Sequence, residues 1–392
     1  MATTPVAPDA ATAAPSCGPL SARCCHGISA HPRTRVPPLP GSPLLQRGSV
    51  PKGFFATRPG DNTMIRQTVC ALTAVACITG AAWAQDKQSI VTVVKVIGVN
   101  WFTRMGEGVK EFGAANASVA TSMVGPAQGD PAQQLRVIED LVAKKSSAIA
   151  VVPMDPSTIE GVLKRAMERG IVVVTHEADT ARNTQADIEA FDNTAFGARL
   201  NDRLAKCMGE SGKWTTFVGS LGSRTHMQWA SGGAGNAAKY PKMALVDAHN
   251  ETFDNANKAY EKAKEILRKH PDIEGFQGSS AIDAIGIGRA VEEAGLQHKT
   301  CVFGVGLPQD AGKYLETGAI DGISFWDPKD AGLVMNQVAK LLLDGKPITD
   351  GMNLGTRGYD KVSVKKGPGK GVVITGQAWV DVDKSNYKQY PF

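Results

Sequence analysis

The residue types best able to recognise a small molecule gather where the first long apolar run ends. Val93-Val94-Lys95-Val96-Ile97 is followed by Gly98, Asn100 and the aromatic pair Trp101-Phe102. A β-branched run of this kind reads as a buried parallel strand, and Gly98 with Asn100 ends it in a short turn. Open α/β sheets bind ligands at the carboxyl ends of their strands. Aromatic faces beside ammonium and amide donors suit a small polyhydroxylated molecule, whose C–H face stacks on a ring while its hydroxyls take the hydrogen bonds. The plainer reading makes Trp101 and Phe102 the first core residues of a helix, since Phe102, Met105, Val109 and Phe112 recur at three- and four-residue steps. Phe102 alone fits that reading, but two adjacent aromatics cannot both face one core.

Other positions offer complementary chemistry. Carboxylates such as Glu177 and Asp327 can each accept two hydroxyl bonds, and the Lys95 ammonium donates up to three. Glu177 is otherwise a turn residue or a cap, and Asp327 an N-cap before Pro328; for either residue the two roles are compatible. His226 is a ligand donor, a solvent-facing residue at a helix start, or a packing residue. Trp326 ends a strand and serves either a site or a core.

Motifs for catalysis are incomplete. Gly367-Pro-Gly-Lys370-Gly lacks both the spacing of a phosphate loop and the Ser or Thr that follows its lysine. His176-Glu177 lacks the second histidine of a zinc-protease helix. Ser220 and Ser223 lie beside Gly219 and Gly222 without forming a nucleophile elbow. Gly98 stands alone where a dinucleotide fingerprint would need three glycines. No enzymatic activity, cofactor or metal is expected.

The elements that must position these residues occupy the later part of the chain. Its 392 residues are 42% hydrophobic and 21% charged, enough for about two domains. The formal charge of +5 is dispersed, which argues against a nucleic-acid partner. Residues 1–63 are rich in Pro and Arg without apolar periodicity and read as a disordered or non-native extension. Residues 64–84 read as a signal peptide: Met64-Ile-Arg66 is its positive region, Val69 to Thr79 its apolar stretch and Ala82-Trp-Ala84 its cleavage signature. Met64 is then the expected start, the mature chain begins at Gln85, and the apolar stretch is too short to span a membrane. Of seven cysteines, only Cys207 and Cys301 follow that cleavage point. They form either a disulfide or two buried thiols.

From Ile90 onward strand and helix alternate. Strands are expected at 117–124, 148–152, 171–175, 214–219, 243–247, 273–277, 301–304 and 321–327. Helices are expected at 130–145, 155–169, 225–239, 255–270, 280–295 and 331–343, with a final short strand at 371–375. Asp130-Pro131 and Asp155 are helix-start signals, and Gly170 is a stop. Strand-helix units of about 25–30 residues imply right-handed parallel crossovers and two successive open sheets.

This order of units carries a family resemblance. With Asp192-Asn193 before a helix, Gly278-Ser-Ser-Ala-Ile-Asp-Ala-Ile-Gly286, Val302-Phe-Gly-Val-Gly306 and Phe325-Trp-Asp327, it resembles the periplasmic sugar-binding proteins of ABC importers. Within them it looks closest to the ribose-binding-like branch holding the autoinducer-2-binding and rhamnose-binding proteins. The resemblance implies an α/β fold of two doubly wound parallel-sheet lobes joined by a three-strand hinge. The expected lobes are 90–192 with 328–354, and 193–326 with 355–392, with crossings near Asp192, Trp326 and Leu354.

Carried over by position, Lys95 matches the lysine on the first strand of that branch, and Trp101 and Phe102 match the aromatics after it. Glu177 stands where the branch has an aspartate. Gln228-Trp229 is kept, but the Asp-Gln pair before it is replaced by Thr225-His226, and a Pro-Asp-Ala segment by Gly278-Ser279-Ser280. These departures point away from autoinducer-2 itself and toward another small sugar or polyol. The expected ligand-binding set is Lys95, Asn100, Trp101, Phe102, Glu177, Asp179, Thr225, His226, Ser279, Ser280, Leu307, Trp326 and Asp327. The implied protein is a periplasmic monomer, not inserted in the membrane, that hands its ligand to an ABC permease. The alternatives are ligand presentation to a chemoreceptor or sensor kinase and, more weakly, a sugar-converting enzyme.

Overall fold

The computed structural model describes residues 87–392. The extension at 1–63 and the signal peptide at 64–84 lie outside the described residues. Among the described residues no helix is long and apolar enough to cross a membrane.

The first lobe begins with β1 (Gln88–Val93), α1 (Asn100–Ala115), β2 (Val119–Val124), α2 (Pro131–Ala143), β3 (Ala148–Val151), α3 (Pro156–Glu168), β4 (Val172–His176) and β5 (Ala186–Glu189). The helices start where short acceptors free the first amides. Asp130 accepts from the Ala132 and Gln133 N–H groups, and Asp155 from that of Ser157, each ahead of a proline in the first turn. Ile90, Val93 and Val94 of the first run are fully buried, as a strand covered on both faces requires.

The second lobe follows with α4 (Asn193–Cys207), β6 (Ser211–Val218), α5 (Arg224–Asn236), β7 (Lys242–Leu245), β8 (Asn250–Glu251), α6 (Ala256–Lys269), β9 (Ile273–Gly278), α7 (Asp283–Glu293), β10 (Cys301–Val305), α8 (Pro308–Thr317) and β11 (Gly322–Phe325). Helix α4 packs tightly on α5: a Cβ on Gly197 would lie 2.1 Å from the Trp229 carbonyl oxygen, and one on Gly232 2.5 Å from that of Thr194. Bare backbone at these two positions seats Trp229 against the first lobe's crossing. Cys207, at the end of α4, and Cys301, at the start of β10, form a disulfide with Cα atoms 6.0 Å apart, which settles the alternative left open by the sequence.

The chain then returns. Helix α9 (Pro328–Leu343) packs on β1, β3 and β4. Then come β12 (Ser363–Lys366), β13 (Val372–Thr375) and β14 (Val380–Val382). The first sheet runs β12-β13-β5-β4-β3-β1-β2, and the second runs β14-β11-β10-β9-β6-β7, with β8 also on β6. All pairs are parallel except the edge pairs β12–β13 and β11–β14.

This corrects two expectations. The stretch after Leu354 does not pass to the second lobe as a block, because β13 pairs in parallel with β5 and buries Ile374 in the first. The third crossing therefore lies at 376–379, between β13 and β14, and Leu354 is a buried core residue. The strand at 371–375 is also not the last, since β14 follows and completes the second sheet.

Candidate functional site

The carboxyl ends of both sheets face one enclosed cavity. Lys95 follows β1, Glu177 follows β4, Ser279 and Ser280 follow β9, and His226 lies in the first turn of α5. Trp326, on the second crossing, meets Trp101 edge-on at 4.7 Å and Trp229 at 5.6 Å, so three indoles wall the space. With Phe102, these residues enclose about 30 Å³, room for a water or two. That is far below the ~300–1,000 Å³ usual for ligand pockets, so this closed form must open to admit anything larger.

At the centre is a buried ion pair. Lys95 Nζ lies 2.6 Å from Glu177 Oε2, with 3% and 5% of the two residues exposed. Burial, the largest single influence, raises the Glu177 pKa, but the Lys95 charge, the neighbouring His176 and the hydrogen bonds from Lys95 and from Thr225 Oγ1 (3.2 Å) together outweigh it; the carboxyl falls below its usual range. Lys95 also donates to Ser223 Oγ at 3.4 Å, reaching into the second lobe.

His226 is tied differently. The Gly219 N–H donates to its Nδ1 at 3.1 Å, so the neutral ring carries its proton on Nε2. That N–H faces the Lys95 ammonium at 3.5 Å. Two donors facing each other form no bond, and both remain free for an acceptor in the cavity. Burial, reinforced by Lys95, holds the His226 pKa well below the usual histidine value.

Several buried polar atoms on the lining residues lack a partner within the protein: Asp254 Oδ2, Ser279 Oγ and Trp326 Nε1. The other oxygen of Asp254 accepts from Ser280 Oγ at 2.5 Å, and burial raises this carboxyl's pKa. Glu177, Phe253 and Asp254 have φ values of +62°, +55° and +48°. Non-glycine residues held in that region store strain, a frequent mark of a functional site. Asp283, pushed up to about 7 by burial, accepts from the N–H groups of Ser279 and Ser280 and so sets the serine loop.

Eight expected residues line the cavity: Lys95, Trp101, Phe102, Glu177, His226, Ser279, Ser280 and Trp326. Thr225 touches it through Glu177. Four expected residues are elsewhere. Asn100 is exposed and donates across the lobes to Asp310 Oδ1 at 2.5 Å, because the first turn of α1 aims it at α8. Asp327 caps α9 through the Lys329 N–H, and both its oxygens are taken by Arg104, at 3.0 and 2.7 Å. Asp179 is held by Arg224 and Gln228 on the far side of the cavity wall. Leu307 is core, at the start of α8.

Sequence reasoning missed Asp254 and did not assign Trp229 to the site. Asp254 follows the two-residue strand β8, too short to show a period, and Trp229 reads as an ordinary helix-core residue. A larger cleft of about 710 Å³ opens on the hinge side beside Glu189, Lys365 and Trp379. Of the expected set it holds only Asp179. Among the described residues, the one cluster with metal-ligand spacing is Cys207, Cys301 and Asp321, and its sulfurs are consumed by the disulfide.

The family model of the periplasmic binding protein domain matches residues 90–347. The D-allose-binding periplasmic protein of Escherichia coli is 26% identical over 249 residues, 61% of this chain and 79% of its own length. The ribose import binding protein RbsB of Salmonella typhimurium is 23% identical over 270 residues, 69% of this chain and 90% of its own. The solved structure of LsrB from Clostridium saccharobutylicum in complex with AI-2 has a TM-score of 0.71 at 18% identity, over 78% of this chain and 100% of that one. That likeness bears on the fold alone.

Proposed function

The chain belongs to the periplasmic binding protein domain family, and on that premise we propose that it captures one small, neutral sugar or polyol between its lobes and delivers it to an ABC permease. Membership makes it a solute-binding protein and not an enzyme. The observation that carries the ligand class is the set of unpartnered buried atoms, Asp254 Oδ2, Ser279 Oγ and Trp326 Nε1, inside indole walls. Buried polar groups without partners are costly, and ligand hydroxyls are the groups that would satisfy them while a sugar's C–H face lies on the rings. The Lys95–Glu177 pair balances its own charge. An ionised ligand would therefore leave a buried charge uncompensated.

The relatives that bind D-allose and ribose support this class. Export to the periplasm is supported by the signal-like segment before Gln85 and by the Cys207–Cys301 disulfide, a bond favoured outside the reducing cytoplasm. In the mechanism, ligand bridges the lobes, shifts the hinge equilibrium toward closure, and the closed surface is what the permease reads.

A thermal-shift screen against D-ribose, D-allose, L-rhamnose, autoinducer-2 and four- and five-carbon polyols tests the reading, because a ligand of the folded state alone raises the melting point. One compound is expected to raise it by several degrees. A flat screen across all neutral sugars and polyols, with a rise for a sugar acid or an amine, would refute the assignment.

A further inference from the structure

On β5, Asp187 and Glu189 stand two residues apart and share one face of the strand. They are 1% and 3% exposed. Asp187 Oδ1 accepts from Thr175 Oγ1 at 2.6 Å and from the Ala178 N–H at 3.2 Å. Glu189 Oε2 accepts from Asn193 Nδ2 at 2.8 Å. The remaining oxygens, Asp187 Oδ2 and Glu189 Oε1, have no donor. Two adjacent carboxylates buried on one strand face cannot both ionise at little cost, and a proton held between the two spare oxygens supplies the missing donor.

Asn193 carries this arrangement into the site. It opens α4 just past the first crossing, and because its amide N–H₂ is given to Glu189, its Oδ1 is left to accept the Trp229 Nε1–H at 2.7 Å. Trp229 is one of the indole walls of the cavity. We propose that Asp187 and Glu189 share one proton and, through Asn193, position the Trp229 wall of the ligand cavity, so that losing this proton loosens the wall. Glu189 lines the 710 Å³ hinge-side cleft. Water there gives the pair its route to solvent, and hydration of a newly ionised Glu189 would draw it away from Asn193.

The surroundings favour retention of the proton. Burial pushes Asp187 up to about 6 and Glu189 well above the carboxyl range, and the neighbouring charges of Asp187 and Asp179 raise Glu189 further. Facing groups on the packed elements are Asp179, paired with Arg224; the buried Tyr359 phenol; and Asp192, Lys361 and Lys365 along the cleft. His176 of β4 pairs with Ile188 in the ladder, and its ring Nδ1 meets the Ile188 carbonyl at 2.6 Å. The inference rests on the proposed function only for its consequence in binding, and its test needs no ligand.

Tryptophan emission of the full-length, ligand-free chain is followed from pH 4.5 to 8. The wild type is expected to show a transition above pH 5. Asp187→Asn, whose amide donates to Glu189 permanently, and Glu189→Gln are each expected to abolish it. Trp229→Phe removes the optical signal and leaves the pair's share of the pH-dependent melting point in place. If Asp187→Asn fails to fold by circular dichroism, Glu189→Gln decides alone. A flat wild-type profile, or a transition that survives in the folded pair variants or in Trp229→Phe, overturns the proposal.

Discussion

Replacing Lys95 by Met tests the centre of the site. The substitution keeps the length and apolar stem of the side chain but removes the ammonium 2.6 Å from Glu177 Oε2. Glu177 is then a carboxylate with 5% exposure, one hydrogen bond from Thr225 and a left-handed backbone. Breaking one side of a buried pair costs about 3–5 kcal/mol, mostly as the penalty of the charge left behind. At about 2 °C per kcal/mol for a domain larger than 150 residues, the melting point should fall by roughly 6–10 °C. The double variant Lys95→Met with Glu177→Gln removes both charges and should recover to within about 1–2 kcal/mol of wild type, since neutral replacements of buried pairs are often close to neutral in stability. Urea and thermal unfolding of the four proteins of the cycle give the coupling energy. Calorimetric titration with the sugar that wins the screen should show that the double variant, though folded, has lost binding at least a hundredfold. A Lys95→Met cost under about 1 kcal/mol would refute the claim that this pair is desolvated.

Other perturbations separate roles that the sequence could not. Asp310→Ala removes the interlobe bond from Asn100 without touching the cavity; solution scattering of the ligand-free chain should show a larger radius of gyration, and affinity should fall severalfold, about 1 kcal/mol. Asp283 has its folded pKa raised from 3.8 to about 7, so the unfolded chain loses this proton first. Its contribution is fully present below about pH 4 and is lost as pH rises toward 7. Asp283→Asn, which imitates the neutral acid toward Thr252 and the serine amides, should gain on wild type by a few kcal/mol between those limits in pH-dependent urea unfolding. Reducing the Cys207–Cys301 disulfide, which closes a loop of 94 residues, should cost about 3–4 kcal/mol while leaving sugar affinity within twofold.

Local chemistry carried much of this protein in readable form. Apolar β-branched runs, Asp-Pro helix starts and regular strand-helix spacing announced two parallel sheets, because each signal acts within a few residues of itself. The end of the first strand pointed to Lys95 because a parallel sheet delivers its carboxyl ends to one edge, whereas Ser279-Ser280 and the placement of Glu177 in the site came from the family resemblance. What the tertiary structure decided was pairing over distance. Asp327 looked like a ligand carboxylate until Arg104, 223 residues away in sequence, took both of its oxygens. Asn100 looked like a ligand amide until closure of the lobes brought Asp310 to it. The Gly- and Lys-rich stretch gave no period, yet β13 joined the first sheet because β5 offered it an open edge. Asp254 carried no signal at all, since its role comes from a strained turn after two residues of strand. The sequence determined which groups could be polar, apolar or bent; only the folded contacts decided which polar groups were already satisfied and which were left for a ligand.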